Sequence, residues 1–113
     1  MSPITSHALD LSLGRPARGL PLELERMEQE GIWRTLALGV TNDDGRAPNL
    51  LPQGPLERGT YRLTFDTRSY LEASGQPVFY PRVEIMFVVE EPSEHYHIPL
   101  LLSPFGYSTY RGS

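Results

Sequence analysis

In most of the patterned segments of this chain apolar and polar residues alternate one by one, the period of a β-strand with one face on a core. Ile4 to Leu11 reads as a first strand, with His7 and Leu9 on one face and the small Ser6 and Ala8 on the other; it ends at Asp10 and a Gly14-Arg15-Pro16 turn. Leu20, Leu22 and Leu24 alternate with Glu23 and Glu25, which predicts a half-buried strand from Leu20 to Met27. A further strand from Trp33 to Thr41 runs into Asn42-Asp43-Asp44-Gly45, a strong turn signal with Arg46 directly behind it. Ala47 to Glu57, broken by Pro48, Pro52, Gly54 and Pro55, has room only for a short edge strand around Leu50. Gly59 to Phe65 is a strand with Tyr61, Leu63 and Phe65 inward. Asp66 then caps a helix from Thr67 to Ser74, which Gly75 and Pro77 end.

The second half of the pattern is more apolar. Arg82 to Val89 sends Val83, Ile85, Phe87 and Val89 one way and Glu84, Met86 and Val88 the other, so both faces turn apolar at its centre and a neighbouring subunit is expected to cover part of it. From Tyr96, alternation puts Tyr96, Ile98, Leu100 and Leu102 on a core face, leaving His95, His97, Pro99 and Leu101 outside. An outer face that mixes two imidazoles with apolar residues suits a pocket or a subunit contact. Ser103-Pro104-Phe105-Gly106 supplies a turn, and Tyr107 to Tyr110 resumes strand. The expected fold is all-β, a Greek-key sandwich of two antiparallel four-stranded sheets with one short helix.

Composition narrows the partners. At 113 residues the chain reads as one domain, 1–113, large enough to fold without staples, and it has no cysteine, so disulfides and thiolate metal sites are excluded. A net charge of −4 with scattered arginines argues against nucleic acid or an anionic membrane as the main partner. No run approaches the ~20 apolar residues of a spanning helix. Met1 to His7 has neither the basic segment nor the apolar run of a secretory leader, so cytoplasm is the default expectation.

The chain has three histidines, His7, His95 and His97. On the residues alone His7 reads as a surface or satisfied core histidine, Arg46 as a solvated turn residue and His95 as an exposed strand end. His95 and His97 also have the spacing of a zinc pair, which His7 would complete. No Gly-x-Ser-x-Gly elbow marks Ser108 or Ser113 as a nucleophile.

Three motifs change that weighting. Ser6-His7-Ala8-Leu9-Asp10 with Gly14-Arg15-Pro16-Ala17, then Thr41-Asn42-Asp43-Asp44-Gly45-Arg46, and finally His95 to Pro104 with Tyr107-Ser108-Thr109-Tyr110-Arg111-Gly112-Ser113 resemble the 5-hydroxyisourate hydrolases, the transthyretin-related enzymes of urate breakdown. The resemblance covers essentially the whole chain, with Ser6 and Ala8 where that family more often has Thr and Val. The closing Tyr-Arg-Gly-Ser is the part that separates those enzymes from transthyretin. It implies a transthyretin-like sandwich that hydrolyses 5-hydroxyisourate to 2-oxo-4-hydroxy-4-carboxy-5-ureidoimidazoline without metal or other cofactor. It implies catalytic His7, Arg46 and His97, with His7, Arg46, Tyr110, Arg111, Gly112 and Ser113 binding the substrate. It also implies a homotetramer, a dimer of dimers with active sites at the dimer–dimer interface. The terminal segment is expected to run along the pocket, where Arg111 and the Ser113 carboxylate fix one another or an imidazole. Two rival classes are a small-ligand carrier of transthyretin type, which predicts that these polar residues would be replaced, and a structural β-module, which leaves the histidine-bearing face unexplained.

Overall fold

The computed structural model describes residues 2–113. It contains β1 (Ile4–Asp10), β2 (Arg15–Pro16), β3 (Pro21–Gln29), β4 (Ile32–Val40), β5 (Arg46–Ala47), β6 (Gly59–Phe65), α1 (Thr67–Ala73), β7 (Val83–Val89), β8 (Tyr96–Ser103) and β9 (Gly106–Thr109). One sheet runs β4-β3-β6-β7. The other runs β2-β1-β8-β9, with β5 also paired to β1. The leucines of the alternating β3 pattern, Leu22 and Leu24, join Leu63, Phe65 and Val83 on the inner face of the first sheet. They meet Ile4, Ala8, Ile98, Leu100 and Leu102 from the second, all buried, and this double layer is the core.

Two features depart from the expected sandwich. β1 and β8 are parallel, not antiparallel, in a register that sets Thr5 opposite His97 and His7 opposite Pro99. Strands distant in sequence need no hairpin, so core packing alone decided their direction. The short edge strand expected near Leu50 is instead Arg46–Ala47, where Arg46 pairs with His7. The second sheet therefore has five strands, two of them only two residues long.

The helix forms where expected. Asp66 caps it, accepting from the backbone N–H of Ser69 at 3.1 Å, and Ser74 ends it. The outer face of the first sheet stays wet apart from one cluster. Glu25 there is buried against Arg62, which donates to both its carboxylate oxygens and stacks 4.1 Å above Trp33.

Candidate active site

The outer face of the second sheet gathers the histidines, and β1 is its organising strand. Its inward residues, Ser6 and Ala8, are small enough to be fully buried, and Ser6 donates to the Ile98 carbonyl at 2.7 Å, tying β1 to β8. The outward residues Thr5 and His7 then stand beside their partners on both flanking strands. Thr5 is opposite His97 on β8, and His7 is opposite Arg46 on β5.

Arg46 owes its place to the turn before it. The Asn42 side-chain oxygen accepts from the backbone N–H groups of Asp44 and Arg46, both at 3.0 Å, and the Ala8 N–H donates to the Gly45 carbonyl at 2.7 Å. Gly45 has φ +75°, and a side-chain carbon there would lie 2.3 Å from the Ala8 carbonyl oxygen, so only glycine lets the turn close against β1. The same turn receives His7, whose Nε2 lies 2.9 Å from the Asp44 carbonyl oxygen. A carbonyl only accepts, so Nε2 carries the proton and Nδ1 holds the lone pair of the neutral ring.

A cavity of about 250 Å³ opens on this face, lined by Thr5, Ser6, Arg46, Pro48, His95, His97 and Ser113. His7 sits beside it, across from Arg46. His97 is half-buried, and its Nδ1 lies 2.8 Å from the Thr5 hydroxyl. Burial, followed by the Arg46 charge and the nearby rings of His95 and His7, holds the His97 imidazole below its ordinary value, which keeps it neutral near pH 7. His95 is exposed, as its place near the loop suggested, yet its Nε2 also reaches Thr5, at 2.9 Å. Thr5 is 6% exposed and was not singled out from the sequence. A threonine on a strand gives no signal of its own; only the β1–β8 register brings two imidazoles to its hydroxyl.

The terminal residues do not divide by strand parity. The Gly112 N–H donates to the His97 carbonyl at 2.8 Å, and Ser113 lines the cavity. Arg111 turns the other way. Its guanidinium lies 4.4 Å from the Tyr96 ring centroid and donates to Glu94 at 3.2 Å, instead of meeting Ser113 or an imidazole. Tyr110 is exposed and stands outside the cavity lining.

Among the described residues no three His, Cys, Asp or Glu side chains stand close enough to hold a metal ion. A larger cavity of about 560 Å³, between Arg15, Arg18, Asp43 and Tyr70, contains no imidazole. In the smaller one, imidazoles, a guanidinium and Ser113 share one concave site, a combination suited to attack of water on a polar carbonyl.

Known proteins agree with that chemistry to different depths. Residues 4–112 match the model of the HIUase/Transthyretin family. A mouse 5-hydroxyisourate hydrolase is 48% identical over 113 residues, spanning 99% of this chain and 96% of the mouse protein. The structure of Klebsiella pneumoniae 5-hydroxyisourate hydrolase superposes with a TM-score of 0.82 at 38% identity, over 97% of this chain and 98% of that one. Sea bream transthyretin, solved with thyroxine, superposes with a TM-score of 0.90 at 34% identity, over 98% and 95%. The backbone thus fits the carrier as well as the enzyme, and the side chains must decide between them. The chain belongs to the HIUase/transthyretin family.

Proposed function

We propose that this protein hydrolyses 5-hydroxyisourate to 2-oxo-4-hydroxy-4-carboxy-5-ureidoimidazoline, with His7, Arg46 and His97 as catalytic residues. The observation that carries this reading is the meeting of His97, Arg46 and Ser113 around one cavity, with His7 opposite Arg46 in the strand register. A carrier has no use for a neutral imidazole and a guanidinium on one cavity wall. A hydrolase needs both.

The roles follow from the groups. His97, neutral and half-buried, takes a proton from water as it attacks a ring amide carbonyl. Arg46 donates to the oxygen on which negative charge develops and orients the planar heterocycle. His7 presents its Nδ1 lone pair and anchors the Asn42–Gly45 turn through Nε2. Gly112 and Ser113 bound the substrate's end of the cavity. Arg111 supports that end from behind through Glu94 and Tyr96, and the exposed Tyr110 stands outside the cavity lining.

The same reading includes a homotetramer, a dimer of dimers whose two histidine faces meet across a channel. Support comes from the exposed Met86 and Val88 on β7 and from the edge strands β7 and β9, both with an unpaired side.

The test is whether purified protein speeds the disappearance of freshly generated 5-hydroxyisourate over its spontaneous decay. His7→Asn, Arg46→Gln and His97→Asn should each lose roughly 10²-fold or more in kcat/KM, about 3 kcal/mol. Because the base must be neutral and its pKa is lowered, the acid limb of kcat/KM should fall below pH 6.5. A His97→Asn enzyme with near-full activity would overturn the assignment, and activity lost to a chelator and restored by zinc would replace it with a metal mechanism.

A further inference from the structure

Within this hydrolase reading, His97 faces a difficulty. As it takes a proton from water it becomes a cation in a half-buried position that it shares with the Arg46 guanidinium. Burial and a neighbouring positive charge both oppose that cation, and the lowered pKa of His97 agrees. The structure offers the charge another resting place. His95 is exposed, its ring centroid is 6.2 Å from that of His97, and the buried Thr5 hydroxyl lies between them, 2.8 Å from His97 Nδ1 and 2.9 Å from His95 Nε2.

A hydroxyl has one proton to donate, so it can donate to one of these rings and must accept from the other. The two imidazoles therefore have linked tautomers. With Nδ1 taken up by Thr5, Nε2 is the ring nitrogen left for the attacking water, and the nearby positive charge of Arg46 favours a lone pair there. That places the His97 proton on Nδ1, donated to Thr5, while Thr5 donates to His95 Nε2 and the His95 proton sits on Nδ1 toward solvent. Gly112 leaves room for this orientation, since a side chain there would collide with the Cδ2 edge of the His97 ring.

We propose that Thr5 and His95 are positioning residues that form with His97 a hydroxyl-bridged relay, in which Thr5 fixes His97 as the Nδ1–H tautomer and passes the charge gained by His97 to His95. The step balances within the protein. When water attacks, its O–H bond breaks and the proton bonds to His97 Nε2; the Nδ1 proton moves to the Thr5 oxygen, and the Thr5 proton moves to His95 Nε2. His97 ends neutral and His95 becomes the imidazolium, in contact with water. As the carbon–nitrogen bond of the substrate breaks, His97 Nε2 gives its proton to the departing nitrogen and the two transfers through Thr5 reverse. The charged and titratable groups around His97 are His7 on β1, Arg46 on β5 and His95 before β8, each of which opposes its cation, and the Thr5 hydroxyl lies 2.8 Å from its Nδ1.

Three variants separate the parts: Thr5→Val, close in shape but without the hydroxyl; Thr5→Ser, which restores it; and His95→Gln, which keeps a hydrogen-bonding side chain but cannot take the charge. The readouts are kcat and KM for 5-hydroxyisourate and a two-bond proton–nitrogen NMR spectrum of histidine-labelled protein, which reports the ring nitrogen that carries the proton. We expect His97 to be Nδ1–H in the wild type, Nε2–H in Thr5→Val, and Nδ1–H again in Thr5→Ser and His95→Gln. Turnover should fall about tenfold in Thr5→Val and in His95→Gln with KM within about twofold, and recover in Thr5→Ser. An Nε2–H His97 in the wild type, or an unchanged tautomer and turnover in Thr5→Val, overturns the role of Thr5. Wild-type kcat in His95→Gln overturns the relay. A wild type that does not accelerate substrate decay removes the hydrolase reading instead, and the tautomer spectrum alone then decides the role of Thr5.

Discussion

A β-carbon at position 112 would lie 2.5 Å from Cδ2 and 3.2 Å from Cγ of His97, closer than packed carbons approach. Those atoms belong to a ring held at its opposite edge by Thr5, so it cannot step aside without losing that bond. Gly112→Ala should therefore lower kcat/KM at least tenfold, with the melting temperature nearly unchanged because the collision is outside the core. A Gly112→Ala protein with wild-type kinetics would show that the His97 ring has room to move. Of the residues in the site, His7, Arg46 and His97 were legible through the motifs that contain them. Thr5 was not, since its importance lies in two partners 90 and 92 positions away. Arg111 was misjudged in its direction: strand parity says which side a residue is on, but the pull of Glu94 and the Tyr96 ring decides what its guanidinium meets.

At the scale of elements, β1 does two jobs. Its middle carries Thr5 and His7, while its last residue, Asp10, holds the helix to the sheet. Asp10 is buried and accepts from the Tyr70 hydroxyl, from the Gln76 amide at 2.9 Å and from the Leu13 N–H at 2.9 Å. Burial alone would raise its pKa, but the bonds from Tyr70, Leu13, Gln76 and Ser12 together bring it below 3.8. A lowered carboxyl pKa means stability that is fully present above the unfolded value and is lost as pH falls through the folded one, so this contribution should disappear below about pH 4. Asp10→Asn should cost about 1–3 kcal/mol in urea unfolding at neutral pH, and the gap between variant and wild type should narrow as pH falls below 4. An equal gap at both ends of that range would mean that the charge on Asp10 is not what matters. The segment that follows β9 also reaches the site. Since Ser113 lines the cavity, Ser113→Trp should lower turnover at least tenfold while assembly and melting temperature stay close to wild type. A fully active Ser113→Trp protein would take Ser113 out of the site.

For the whole molecule, each sheet leaves an edge strand open, β7 in one and β9 in the other, and apolar side chains remain exposed nearby: Met86 and Val88 on β7, Tyr107 on β9. Edges of this kind pair between copies unless something blocks them. The 250 Å³ cavity is also open to the outside on this single chain, as expected of a site that a second copy closes. Multi-angle light scattering at micromolar concentration should give four times the 12.7 kDa of one chain. A monomer there would refute both the tetramer and a site shared between subunits.

The alternation of apolar residues by itself determined the strands and the inner faces, because side chains two apart point the same way whatever surrounds them. It determined the helix through Asp66 and its stop through Gly75, and the motifs around His7, Arg46 and His97 determined the family. It left open what depends on long-range pairing. The parallel direction of β1 against β8, the strand at Arg46–Ala47 in place of one near Leu50, the hydroxyl of Thr5 between two imidazoles and the turning of Arg111 toward Tyr96 were decided only in the tertiary structure. The period of a strand carries no record of its neighbour. Packing of the two sheets chose that neighbour, and the neighbour made the site.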